Sequence, residues 1–129
     1  MSEDDPIPVD VRRFLQANSL SIPHIELILL LRRGSATAWA NRDIARRLYV
    51  GEERTEELLA QLETMSLVER AGEPSAYYYR PATPELASLL DQLDAAYSKH
   101  LVAVTQLVHA ARDEAAEQFA KAFRFRKED

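Results

Sequence analysis

Asn41-Arg42-Asp43-Ile44-Ala45-Arg46-Arg47-Leu48-Tyr49-Val50-Gly51 is followed at once by Glu52-Glu53-Arg54-Thr55-Glu56-Glu57-Leu58-Leu59-Ala60-Gln61-Leu62-Glu63-Thr64-Met65. In the first part Ile44, Ala45 and Leu48 share one side of a helix, with Asn41 placed to cap it. Tyr49-Val50-Gly51 interrupts that pattern. The second part predicts another helix from Glu52 to about Met65, because Thr55, Leu58, Leu59 and Leu62 recur at helical spacing.

Downstream, Leu67 and Val68 begin a short strand. Ala71-Gly72-Glu73-Pro74-Ser75 is a turn, and Ala76-Tyr77-Tyr78-Tyr79-Arg80 is the returning strand of a hairpin. Alternation puts Tyr77 and Tyr79 on one side, where strand support is favoured over base stacking. Upstream, Ser21 is placed to cap a helix, with Leu20 and Ile25 as its staple and Pro23 in its first turn. That helix is apolar nearly all round until Arg32-Arg33, as befits the middle of a core, and Gly34 ends it. Trp39 follows in a linker and is expected to plug the space beneath the hairpin. Val11, Phe14 and Leu15 share a side of a short helix over residues 9–17, and residues 1–8 form an acidic tail.

After the hairpin, Thr83-Pro84-Glu85 is a helix start: a capping hydroxyl, proline at the first helical position, then an acid at the positive end of the dipole. No Gly or Pro follows. One apolar stripe runs through Leu86, Leu90, Leu93, Tyr97, Leu101, Val104, Val108, Ala111, Ala115, Phe119 and Ala122, at the period of a straight helix. A single helix from Pro84 to Arg124 would be about 60 Å long, beyond what a small head can cover. Either it breaks near Arg112-Asp113-Glu114 and folds back, or a second subunit covers it. The expected dimer seam is Leu93, Tyr97, Leu101, Val104 and Val108, with the short N-terminal helix beside it.

The order helix, helix, tight turn, helix, hairpin resembles the winged helix-turn-helix transcriptional regulators over roughly residues 20–82. Asp43 to Val50 resembles the first motif helix and its turn. Leu58, Leu62, Leu67 and Val68 fall where the second helix and first wing strand carry their core. Many members end this stretch with Gly-Leu-Val, where this chain has Ser66-Leu67-Val68. Tyr77 to Pro81 resembles the second wing strand. The fold class implied is mainly α with a small β-hairpin, a winged helix-turn-helix plus a long C-terminal helix. Residues 1–19 then form a tail and short helix, 20–82 the winged-helix domain, and 83–129 the dimerisation region.

Composition bounds the function. The 129 residues carry 16 Lys and Arg against 21 Asp and Glu, a net charge of −5, which argues against a protein that coats nucleic acid but leaves room for a local basic face. Without cysteine, thiol nucleophiles, disulfides and cysteine-ligated metals are excluded. His109 and Asp113 share a helix face, but no third ligand completes a metal site, and none is expected. Three glycines form no phosphate loop, and no nucleophile–base pair can be drawn, so neither enzyme nor cofactor is expected. The acidic start and short apolar runs predict a cytoplasmic protein with no membrane partner.

The resemblance implies that the second motif helix enters the major groove of duplex DNA. Yet Gly51 to Thr64 holds five acids and one base, and those glutamates are better explained by the helix dipole than by base reading. The cations lie elsewhere. The predicted DNA contacts are Arg42, Arg46, Arg47, Arg54 and Arg80 to phosphates, with Gln61 and Thr64 as polar contacts. The leading expectation is a homodimeric DNA-binding regulator. The alternative is an adaptor without DNA binding, whose acidic helix 52–63 meets a basic protein partner. The terminal run Phe119 to Lys127 interleaves aromatics with cations and is either a packed helix end or a docking arm.

Overall fold

The computed structural model describes residues 6–72 and 76–127, with side chains to residue 123. The first five residues of the acidic tail, the turn at 73–75 and the side chains of Arg124, Phe125, Arg126 and Lys127 lie outside the described residues. The elements are α1 (Val9–Asn18), α2 (Ile22–Arg33), α3 (Asn41–Leu48), α4 (Glu52–Thr64), β1 (Val68–Ala71), β2 (Ala76–Tyr79), α5 (Pro84–Lys99) and α6 (Leu101–Lys127). They divide into two compact units, Pro23–Asp91 and Met1–Ile22 with Gln92–Asp129.

In the Pro23–Asp91 unit, α2 is buried nearly all round, as its composition predicts: His24, Ile25, Leu27, Ile28, Leu29 and Leu31 are all inside. Its last turn closes with the Gly34 N–H donating to the Leu30 carbonyl at 3.1 Å. A Cβ at Gly34 would sit 2.7 Å from Cζ2 of Trp39, so this glycine is required by close approach. Gly34→Ala is expected to cost about 1–3 kcal/mol, because the indole must shift to admit a methyl group. Urea denaturation measures it, and an unchanged midpoint would mean the ring moves freely.

Trp39 is tied to the hairpin through its backbone. Its main-chain N–H donates to the Tyr77 carbonyl at 2.9 Å and its carbonyl accepts from the Tyr77 N–H at 2.8 Å. The linker thus adds a one-residue antiparallel bridge to the hairpin. β1 and β2 pair Val68 with Tyr79, Glu69 with Tyr78, Arg70 with Tyr77 and Ala71 with Ala76. Leu67 and Arg80, expected inside the strands, flank them, but the Arg80 N–H still donates to the Leu67 carbonyl at 2.9 Å.

Thr55, Leu58, Leu59 and Leu62 of α4 are fully buried, the face read from the sequence. The Thr55 hydroxyl donates back to the Gly51 carbonyl at 2.9 Å, which satisfies a polar group inside the core. After α4 the chain reverses through Ser66, whose φ is 63°. Serine therefore takes the left-handed conformation, which glycine adopts at less cost. Ser66→Gly is expected to stabilise the fold by about 0.5–1 kcal/mol, since the exposed hydroxymethyl is traded only against unfolded-chain entropy. A lower melting temperature would contradict this.

Two boundary expectations are corrected. Asn41 does not cap α3: Ala40 holds the cap position with no side-chain bond, and Asn41 Nδ2 donates instead to the Glu52 carbonyl at 3.2 Å. The long helix does not break near Arg112-Asp113-Glu114. It is interrupted at His100, although neither Gly nor Pro marks the place.

In the other unit, α1 packs against α6. Val11 and Leu15 are buried on α1, and Val104, Leu107, Val108 and Ala111 on α6. Arg112 Nη1 donates to the Ser19 carbonyl at 2.8 Å, closing the end of α1. Of the stripe, Leu93, Val104, Val108 and Ala111 are buried within the single chain. Leu101 is half exposed, and every residue from Arg112 to Phe123 is exposed.

Candidate nucleic-acid interface

α3 places its charges by simple helical geometry. Ile44 and Ala45 face the core, so Arg42, Arg46 and Arg47 are left outside. Arg42 and Arg46, four apart, lie one above the other. Neither is in an ion pair among the described residues. Together with Ala45, Val50, Gly51 and Glu52 they line a shallow hollow beside the turn. Arg47 sits round the helix, its guanidinium 5.7 Å from the centre of the Trp39 ring.

The other predicted contacts are engaged within the chain. Arg54 pairs with Glu57 at 3.1 Å, one turn along α4. Arg80 pairs with Glu69 at 2.9 Å across the hairpin and lies over Tyr78. Exposed pairs of this kind hold weakly and can exchange partners. Gln61 Oε1 is bonded to Nε2 of His24, a histidine only 6% exposed on α2. The Thr64 hydroxyl donates to the Ala60 carbonyl at 3.0 Å.

α4 keeps its acidic character on the outside. Glu52, Glu53, Glu56, Glu57 and Glu63 are all exposed. A second hollow is lined by Glu52, Glu53, Glu56, Asn41, Arg70 and Tyr77. Arg70, which the sequence did not single out, lies 5.4 Å from the centre of the Tyr77 ring and 3.8 Å from Glu63. The sequence carried no signal for it, because only the hairpin register sets Arg70 opposite Tyr77. α3 and α4 thus present opposite signs on either side of the turn.

The residues expected at a dimer seam divide. Leu93, Val104 and Val108 are buried within the chain, Tyr97 is half-buried and Leu101 is 51% exposed. His100, His109 and Asp113 are exposed. Among the described residues no group of three His, Asp or Glu could hold a metal ion, and no helix is long and apolar enough to cross a membrane.

A buried helix, a helix–turn–helix and a hairpin, with a long C-terminal helix appended, define a winged helix-turn-helix fold. Solved structures agree. Wild-type ZitR of Lactococcus lactis is 17% identical, with a TM-score of 0.51 over 84% of this chain and 73% of that one. A doubly substituted mutant of ZitR is 18% identical, with a TM-score of 0.52 over 84% and 74%. No family model matches the chain, and no curated protein is significantly similar to it.

Proposed function

We propose that this chain is a homodimeric regulator that binds duplex DNA through the phosphate backbone and carries out no catalytic step. One observation carries the proposal. Arg42 and Arg46 stand exposed on α3 with no carboxylate partner among the described residues, whereas Arg54, Arg70 and Arg80 each have one. In this fold the first motif helix crosses the backbone. ZitR itself has been solved in complex with DNA; for the present chain the support is its own cations. Arg42 and Arg46 hold phosphates, Arg47 braces the hairpin through Trp39, and Arg54 and Arg80 exchange their glutamates for phosphates on binding. The glutamates of α4 make base reading weak, so affinity is set mainly by charge and salt.

The test is a mobility shift of random duplex DNA over a range of salt. Binding that falls linearly on a log–log plot as salt rises supports the role, and no shift at low salt removes it. One observation favours a second reading. Glu52, Glu53 and Glu56 gather around one hollow, which suits a basic protein segment. Retention of such a segment, lost when Glu53 and Glu56 are reversed to lysine, would favour the adaptor.

A further inference from the structure

Among the described large apolar side chains Tyr49 is the most exposed, at 95%. It is also the residue that ends α3 in the left-handed conformation, with φ 57° and ψ 38°. Glycine or asparagine adopts that conformation at less cost. The backbone there is pinned, because the N–H groups of Tyr49 and Val50 both donate to the Ala45 carbonyl. The ring is therefore held out into solvent, and at 95% exposure almost no packing within the chain offsets the strained backbone or the wetted ring. Ser66 takes the same conformation with a small side chain; at Tyr49 it coincides with a bulky ring that the fold leaves uncovered, which points to a contact made outside the fold.

The neighbours say which contact. Arg46 lies three residues before Tyr49, and Arg42 and Arg46 line the hollow beside Val50 and Gly51. Two guanidiniums with no ion-pair partner among the described residues, although Glu52 lines the same hollow, call for anions, and an aromatic ring calls for an apolar surface next to them. A DNA strand supplies both, phosphates at regular spacing with deoxyribose between them. Building on the DNA-binding role above, we propose that Tyr49 is a DNA-contacting residue whose ring packs on the sugar while Arg42 and Arg46 hold the adjoining phosphates.

The test exploits two effects of opposite sign in the full-length chain. Tyr49→Gly relieves the backbone and is expected to raise the melting temperature by a few degrees. The same change is expected to weaken binding to random duplex DNA about five- to tenfold, with the salt slope unchanged because no charge is lost. Tyr49→Asn, also suited to the left-handed region, gives the same loss of affinity should the glycine loosen the turn. Tyr49→Phe keeps the ring and stays within about twofold of wild type. A more stable Tyr49→Gly with undiminished affinity overturns the proposal, as does a Tyr49→Phe that loses as much as the glycine. If DNA binding holds while sedimentation shows self-association lost, the ring serves a protein contact and the proposal fails. A wild-type chain that gives no salt-dependent shift instead removes the DNA-binding role, a separate result.

Discussion

Reversing Arg42 and Arg46 to glutamate is expected to weaken binding to random duplex DNA by about a hundredfold or more at 0.1 M salt. Each phosphate contact contributes about one power of ten at that salt through counterion release, so losing two gives the hundredfold. The new carboxylates add repulsion. The slope of log affinity against log salt should fall by about 2, which distinguishes lost contacts from a damaged fold. Both side chains are exposed and unpaired among the described residues, so the melting temperature should change little. Arg47 is left in place because it lies over Trp39, and Trp39 is bonded to the hairpin through Tyr77. An unchanged affinity with an unchanged slope would show that α3 does not meet the duplex.

The winged-helix part was legible in the sequence because its helices are short and each has a clear pattern of apolar residues. Thr55, Leu58, Leu59 and Leu62 announce a buried face by spacing alone, and α2 announces its burial by having almost no polar side. What spacing cannot convey is backbone handedness. Ser66 and Tyr49 both turn the chain at positive φ, and neither residue type signals it. Spacing also cannot say who covers a stripe. Leu93, Val104 and Val108 look like a seam for a twin, yet all three are buried within one chain, with α1 packed against α6. The interruption at His100 has no Gly or Pro nearby to announce it, and Leu101 and Val102 just beyond it are exposed. For the site, charge signs were readable and ion pairs were not. The spacing of Arg54 and Glu57 permits a pair along α4, but that of Arg80 and Glu69 becomes informative only once the hairpin register is known.

Self-association is expected to rest on the outer part of α6 rather than on the stripe nearest the head. Phe119 and Phe123 are 73% and 58% exposed, and their rings stack with centroids 6.5 Å apart. Covering four such rings in a two-fold pair would contribute about 6–12 kcal/mol gross, at about 1.5–3 kcal/mol each. That is comparable to an association cost of about 4–15 kcal/mol, so the dimer stands or falls with them. Phe119→Glu with Phe123→Glu should weaken dimerisation at least about a hundredfold, equivalent to about 2.8 kcal/mol, and leave a monomer at micromolar concentration. Since both rings face solvent in the single chain, helix content by circular dichroism should be retained. Val108→Asp is the contrasting change: it places a carboxylate at a fully buried position and should unfold the α1–α6 packing whatever the oligomeric state. Sedimentation at several concentrations separates the outcomes. A double variant that remains dimeric puts the interface elsewhere, and a wild-type chain that sediments as a monomer ends the two-fold arrangement on which spaced arginine faces, and hence tight duplex binding, would depend.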